Sequence, residues 1–200
     1  ALAANDLAAL SFATTNTASA AAALAWIFYD MARGRKPTAV GFCIGAVVGL
    51  VAITPAAGFV TVGASVLIGA LSAVVSHVVV DLKTKTSIDD TLDVFPCHGI
   101  GGIMGMILTG VFAKEVGLVA GPTATFYKHL IALALVGSFS FFGAYVLYKI
   151  VDLISPLRVS AEEEELGLDL SQHLETIESA DARAVSVPEG AIGKTSLSFL

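Results

Sequence analysis

Five apolar stretches, residues 7–31, 38–54, 61–82, 90–112 and 125–154, dominate the chain. Each is long enough, or nearly so, for the roughly 20 residues that a bilayer crossing requires. Inside hydrocarbon every backbone amide must find a partner within its own segment or in a closed barrel. These stretches lack the alternation of barrel strands, so helices are expected. Of 200 residues, 56% are hydrophobic and 14% charged, leaving more apolar surface than a soluble domain could hide. The expected fold is an all-α membrane protein, with a transmembrane bundle over 1–154 and a tail over 155–200. The formal charge of -6 describes that tail, since nine of the 17 acidic residues follow Ser160. No nucleic-acid partner is expected.

No charged region precedes the first apolar run, so a cleaved signal peptide is not expected. The chain opens at Ala1 without an initiating Met, which reads as a partial sequence. The connections carry turn chemistry at Arg33-Gly34-Arg35-Lys36-Pro37, Pro55 to Gly58, Lys83 to Asp89 and Gly117 to Pro122. Arg33, Arg35, Lys36, Lys83, Lys85, Lys149 and Arg158 fall in alternate connections or at matching helix ends, whereas the other side has Lys114 and Lys128. The positive-inside rule puts the first group, and the tail, in the cytoplasm. The last helix is longer than a perpendicular crossing needs, so it should tilt or extend past the bilayer.

Between helices in lipid, close backbone approach supplies the contact energy. Gly41, Gly45 and Gly49 form a small ridge, Gly101 and Gly105 repeat the spacing, and Ala18, Ala21, Ala22 and Ala25 do the same on the first helix. The run Gly99-Ile100-Gly101-Gly102 lacks the preceding strand and following Lys of a phosphate loop, so packing explains it better. Cys43 and Cys97 sit in apolar runs without zinc-ligand spacing and read as small buried hydrophobes. No metal and no cofactor is expected.

His98 needs a reason. A fourth helix starting near Asp89 or Asp90 would put it roughly 12 to 14 Å along the axis, near the midplane of a core about 30 Å thick. Ionisable groups at that depth usually face a cavity or a partner. Position alone leaves open a neutral pore-lining imidazole or a helix-to-helix hydrogen bond. Asp89 and Asp90 suit a helix start, where free amides and the dipole favour carboxylates. Asp93, a turn deeper, is expected to tie down a neighbouring helix end. His77, His129 and His173 are expected at interfacial or solvated positions. Thr54-Pro55 closes the second helix at the outer surface.

The tail changes character at Ser155-Pro156. Glu162 to Glu165, followed by Leu166-Gly167-Leu168-Asp169-Leu170-Ser171-Gln172-His173, suits either docking on a face or partner, or a solvated linker. Disorder is expected beyond about residue 178.

The run Asp89-Asp90-Thr91-Leu92-Asp93-Val94-Phe95-Pro96-Cys97-His98-Gly99-Ile100-Gly101-Gly102 resembles the D-D-x-x-D-V-F-x-x-H-G-x-x-G segment of the Amt/Mep/Rh ammonium transporters. Arg35-Lys36-Pro37-Thr38, Gly49 to Gly58, and Gly167-Leu168-Asp169 with His173 follow the same family order, and the Gly-Leu-Asp tail favours the Amt branch. The resemblance implies helices seven to eleven of eleven, with His98 the second of twin pore histidines and Val94 and Val47 on the pore wall. It implies transport of ammonium or ammonia, not enzymatic activity. It also implies a homotrimer in the inner (plasma) membrane, and a cytoplasmic tail that meets PII-type signalling proteins through Gly167, Asp169 and His173. Two departures stand out: Pro96 replaces a usual Gly, and Leu174 replaces the Gly that follows the tail His. A membrane ammonium sensor or scaffold signalling through the tail is the competing expectation.

Overall fold

The computed structural model describes residues 3–175. The disorder expected after residue 178 lies outside them. Five long helices form: α1 (Asp6–Ala32), α2 (Ala39–Ile53), α3 (Val62–Lys83), α4 (Gly101–Phe112, entered through a π-helical turn Phe95–Ile100) and α5 (Ala124–Ile154). Two short helices, α6 (Ala161–Leu166) and α7 (Leu168–His173), follow in the tail. Each of the first three begins on a side chain that accepts a free amide: Asn5 from Ala8, Thr38 from Gly41, and Thr61 from Ala64.

Residues 62–83, 95–112 and 124–154 are long and apolar enough to cross a membrane by length and composition alone. The 15 residues of α2 rise only about 22 Å, and α1 is diluted by Thr14, Thr15, Asn16, Thr17 and Ser19. The fourth span also starts later than expected. Residues 89–93 form a turn, with Asp93 in the left-handed region at φ 54°, so the helix begins about five residues beyond Asp89.

The chain divides into two compact units within α5, residues 1–143 and 144–200. In the first, α1 lies between α2 and α3, and α4 packs on both of those. Backbones touch where side chains vanish. A Cβ on Gly49 would stand 2.5 Å from the Ala18 carbonyl oxygen, and one on Gly69 2.2 Å from that same oxygen. A Cβ on Gly105 would stand 2.4 Å from the carbonyl oxygen of Ala52. The Gly45–Gly49 ridge of α2 thus seats on Ala18 and Ala22, both fully buried. At the opposite end from the α1–α2 connection, the Lys114 amide donates to the Phe59 carbonyl and ties two loops together.

In the second unit, Ser160 and Glu163 form a reciprocal capping box at the start of α6. Arg158 pairs with Glu164 at 2.8 Å, and Gln172 donates to Glu163 at 3.1 Å, which ties α7 to α6. Gly167 ends one helix and begins the next at φ 95°, a conformation that accounts for glycine there. Leu174 caps α7 in the left-handed region at φ 56°, where a side chain is strained.

Candidate functional site

The turn before α4 is built from charge. The Asp90 carboxylate accepts from the amides of Val94 at 2.8 Å and Phe95 at 2.9 Å, satisfying two free donors of the new helix. Burial pushes the Asp90 carboxyl up, but those two amides and the nearby Lys83 outweigh it and hold it below its ordinary value. Lys83, the last residue of α3, pairs with Asp93 at 2.6 Å and also donates to the Asp90 carbonyl. Asp90 caps the fourth helix from outside it, and Asp93 fixes the end of α3. Asp89 is exposed on the same turn.

This late start changes the place of His98. It sits three residues after Phe95, about 5 Å along an 18-residue span of about 27 Å. The helix starts beyond Asp89 and Asp90 because the Asp90 carboxylate and Lys83 hold residues 89–93 outside it. The wide turn Phe95–Ile100 carries His98, and Pro96, fully buried as its second residue, falls where an amide has no intrahelical partner to lose.

His98 is exposed toward a cavity of about 420 Å³ lined by Ala39, Val40, Cys43, Ile44, Val47, Leu92, Cys97 and His98. An imidazole and two thiols are the only polar side chains on that wall. His98 and Val47 are therefore brought together from two elements, the π-helical turn and α2. Val94 is half-exposed one turn earlier and is not on the wall. Cys97 is buried as expected, but Cys43 is exposed, because its face of α2 opens on the cavity instead of on α1. Among the described residues, no group of three or more His, Cys, Asp and Glu side chains is arranged to hold a metal.

Two other histidines have partners inside the protein. His129 is half-buried with Nδ1 3.0 Å from the Met106 carbonyl, beside the close approach of Phe126 to Gly110. His77 is buried, with Nε2 2.9 Å from Asp30 Oδ1. Arg35 joins the same cluster through Asp81 at 2.8 Å, a hydrogen bond that raises its pKa against a smaller desolvation. The antiparallel course of α1, α2 and α3 brings the ends of α1 and α3 together there. The spacing of His77 and Asp81, one turn apart inside an apolar stretch, was the signal for this cluster. Thr54 turns its hydroxyl back to the Leu50 carbonyl. In the tail, Gly167 sets the α6–α7 corner, Asp169 stands in the first turn of α7 and His173 in the last.

The Ammonium Transporter Family matches residues 1–178. The chain is 45% identical over 181 residues to an ammonium transporter of Bacillus subtilis, covering 86% of this chain and 45% of the relative. It is 41% identical to ammonium transporter Amt1 of Archaeoglobus fulgidus, covering 88% and 46%. The crystal structure of Saccharomyces cerevisiae Mep2 superposes with a TM-score of 0.76 at 36% identity, over 84% of this chain and 41% of that one. The chain spans about half the length of the curated relatives it matches. The chain therefore belongs to the ammonium transporter family, a family of transporters and not of enzymes.

Proposed function

We propose that this chain is the C-terminal half of an ammonium transporter of the Amt branch, supplying helices seven to eleven and the cytoplasmic tail, with His98 as one of two pore imidazoles. The cavity that His98 shares with Val47 carries this reading. A small neutral solute gains little from charged walls, and an apolar passage with one hydrogen-bonding ring gives it a stepping point while excluding a hydrated cation. Val94, ahead of the wide turn, borders the approach to the ring.

The full protein forms a homotrimer in the inner membrane, with ammonium or ammonia as its substrate and lipid around each protomer. The corner at Gly167, with Asp169 and His173 on α7, presents the tail to a PII-type signalling protein. Relatives named as ammonium transporters at 41 to 45% identity support the substrate. The test is His98→Ala in the full-length protein with methylammonium uptake as readout. Uptake is expected to collapse or to lose selectivity, and unchanged uptake and selectivity would remove His98 from the pathway.

A further inference from the structure

The pathway makes no use of the cluster at the joined ends of α1 and α3. His77 is 3% exposed and lies between the rings of Trp26 and Tyr29, at centroid distances of 4.2 and 4.4 Å. Its Nε2 faces Asp30, while its buried Nδ1 has no hydrogen-bond partner and stands 3.9 Å from Asp81 Oδ1. Arg35 reaches both carboxylates, Asp81 at 2.8 Å and Asp30 at 3.7 Å, and the Tyr29 hydroxyl donates to Asp81 at 3.5 Å. The amide of Arg35 also donates to the Asp30 carbonyl at 2.9 Å.

The charged and titratable groups facing His77 are thus Asp30 and Tyr29 of α1, Arg35 of the connection, and Asp81 of α3 itself. The π-helical turn adds Cys97, packed with Trp26 and Ala73. Two carboxylates face one guanidinium. A neutral ring leaves one negative charge uncompensated, whereas a protonated ring donates from Nε2 to Asp30 and sets a positive Nδ1–H facing Asp81, which balances the cluster. Histidine is the side chain whose charge ordinarily changes within the physiological range.

We infer that His77, Asp30, Asp81 and Arg35 form a proton-sensitive latch on the connection at 33–38, tightened when His77 takes up a proton. The connection leads directly into α2, whose Ala39, Val40, Cys43 and Val47 form the cavity wall. Acid on that side of the membrane therefore fixes the wall, and alkali releases it. His77 acts as a positioning residue at a distance from the solute. Its effect on uptake rests on the transport reading above.

The test compares the full-length wild-type protein with H77Q, which keeps a donor but cannot titrate, in proteoliposomes at about pH 6 and about pH 8. Amide exchange at Gly34 and Arg35, corrected for its intrinsic pH dependence, should slow about tenfold in the wild type at the lower pH and stay level in H77Q. Methylammonium uptake should follow the internal pH in the wild type and lose that dependence in H77Q. D81N, which removes the second negative charge, should also flatten the response, and it serves if H77Q fails to fold. The same pH response in wild type and in a folded variant overturns the latch, as does a wild type whose exchange ignores pH. A wild type without uptake overturns the transport reading instead, and the exchange result still decides the latch.

Discussion

Helices α3 and α5 are both membrane-length runs of nearly equal hydropathy, yet they lead opposite lives. The first buries Ser65, Ile68, Gly69, Ser72, Ala73, Ser76 and His77 against its neighbours, whereas α5 buries no residue along its 31. Hydropathy therefore reports that a helix can leave water, not what it meets when it does. The difference lies in whether small residues meet a neighbour. In α3, Gly69 brings its backbone against the Ala18 carbonyl, while Gly137 and Gly143 of α5 have nothing within 4 Å of where a Cβ would stand.

The sharpest way to break this contrast is to add one carbon to each helix. Gly69→Ala should destabilise the bundle by about 3 kcal/mol, since its Cβ would meet a carbonyl that cannot move without displacing α1. Thermal unfolding of the purified protein measures it, and a shift of a degree or less would show that the α1–α3 approach is looser than described. Gly137→Ala should be neutral or stabilising by up to about 1 kcal/mol, through helix propensity alone. A large loss there would mean that α5 is closely packed in the membrane after all.

Capping gives effects of intermediate size. Asp90→Ala removes the acceptor for the Val94 and Phe95 amides and should cost about 1 kcal/mol, with faster amide exchange at both residues. In the tail, Leu174→Gly should stabilise α7 by about 1 kcal/mol by relieving the left-handed strain, read as slower exchange over residues 171–174.

The smallest effect is one of pH. The Ser160 amide, followed by its hydroxyl, holds the Glu163 carboxyl below its ordinary value. A lowered folded value means that the contribution is complete above the unfolded value and fades as pH falls through the folded one. Exchange at Glu163 should therefore accelerate below about pH 4, and the acceleration should vanish in Glu163→Gln.

Much of the packing was legible in advance because spacing carries it. Glycines four residues apart on α2 can only make a ridge, and the Ala18–Ala22 pair on α1 supplies its seat. The start of the fourth span was not legible. Asp89 and Asp90 both read as helix-start residues, and only the contacts of Asp90 with the Val94 and Phe95 amides place the start beyond both. The His77 cluster was hidden for a related reason. Beyond the local His77–Asp81 spacing, its partners stand 47 residues away in Asp30 and on a loop in Arg35, and contacts that depend on how two helices cross leave no local trace. The wall of the His98 cavity sits between these cases. Its helix was expected, but the exposure of Cys43 depended on which face of α2 the glycines claim.

One carbonyl has consequences beyond stability. Gly49 and Gly69 press on the Ala18 oxygen from two helices, like a key held in opposed slots. Sliding α1 by a single residue would carry it about 1.5 Å and drive neighbouring side chains into spaces with no room for them. The three helices therefore travel as a block, and any widening or narrowing of the His98 cavity must be made by bending the segments that join them.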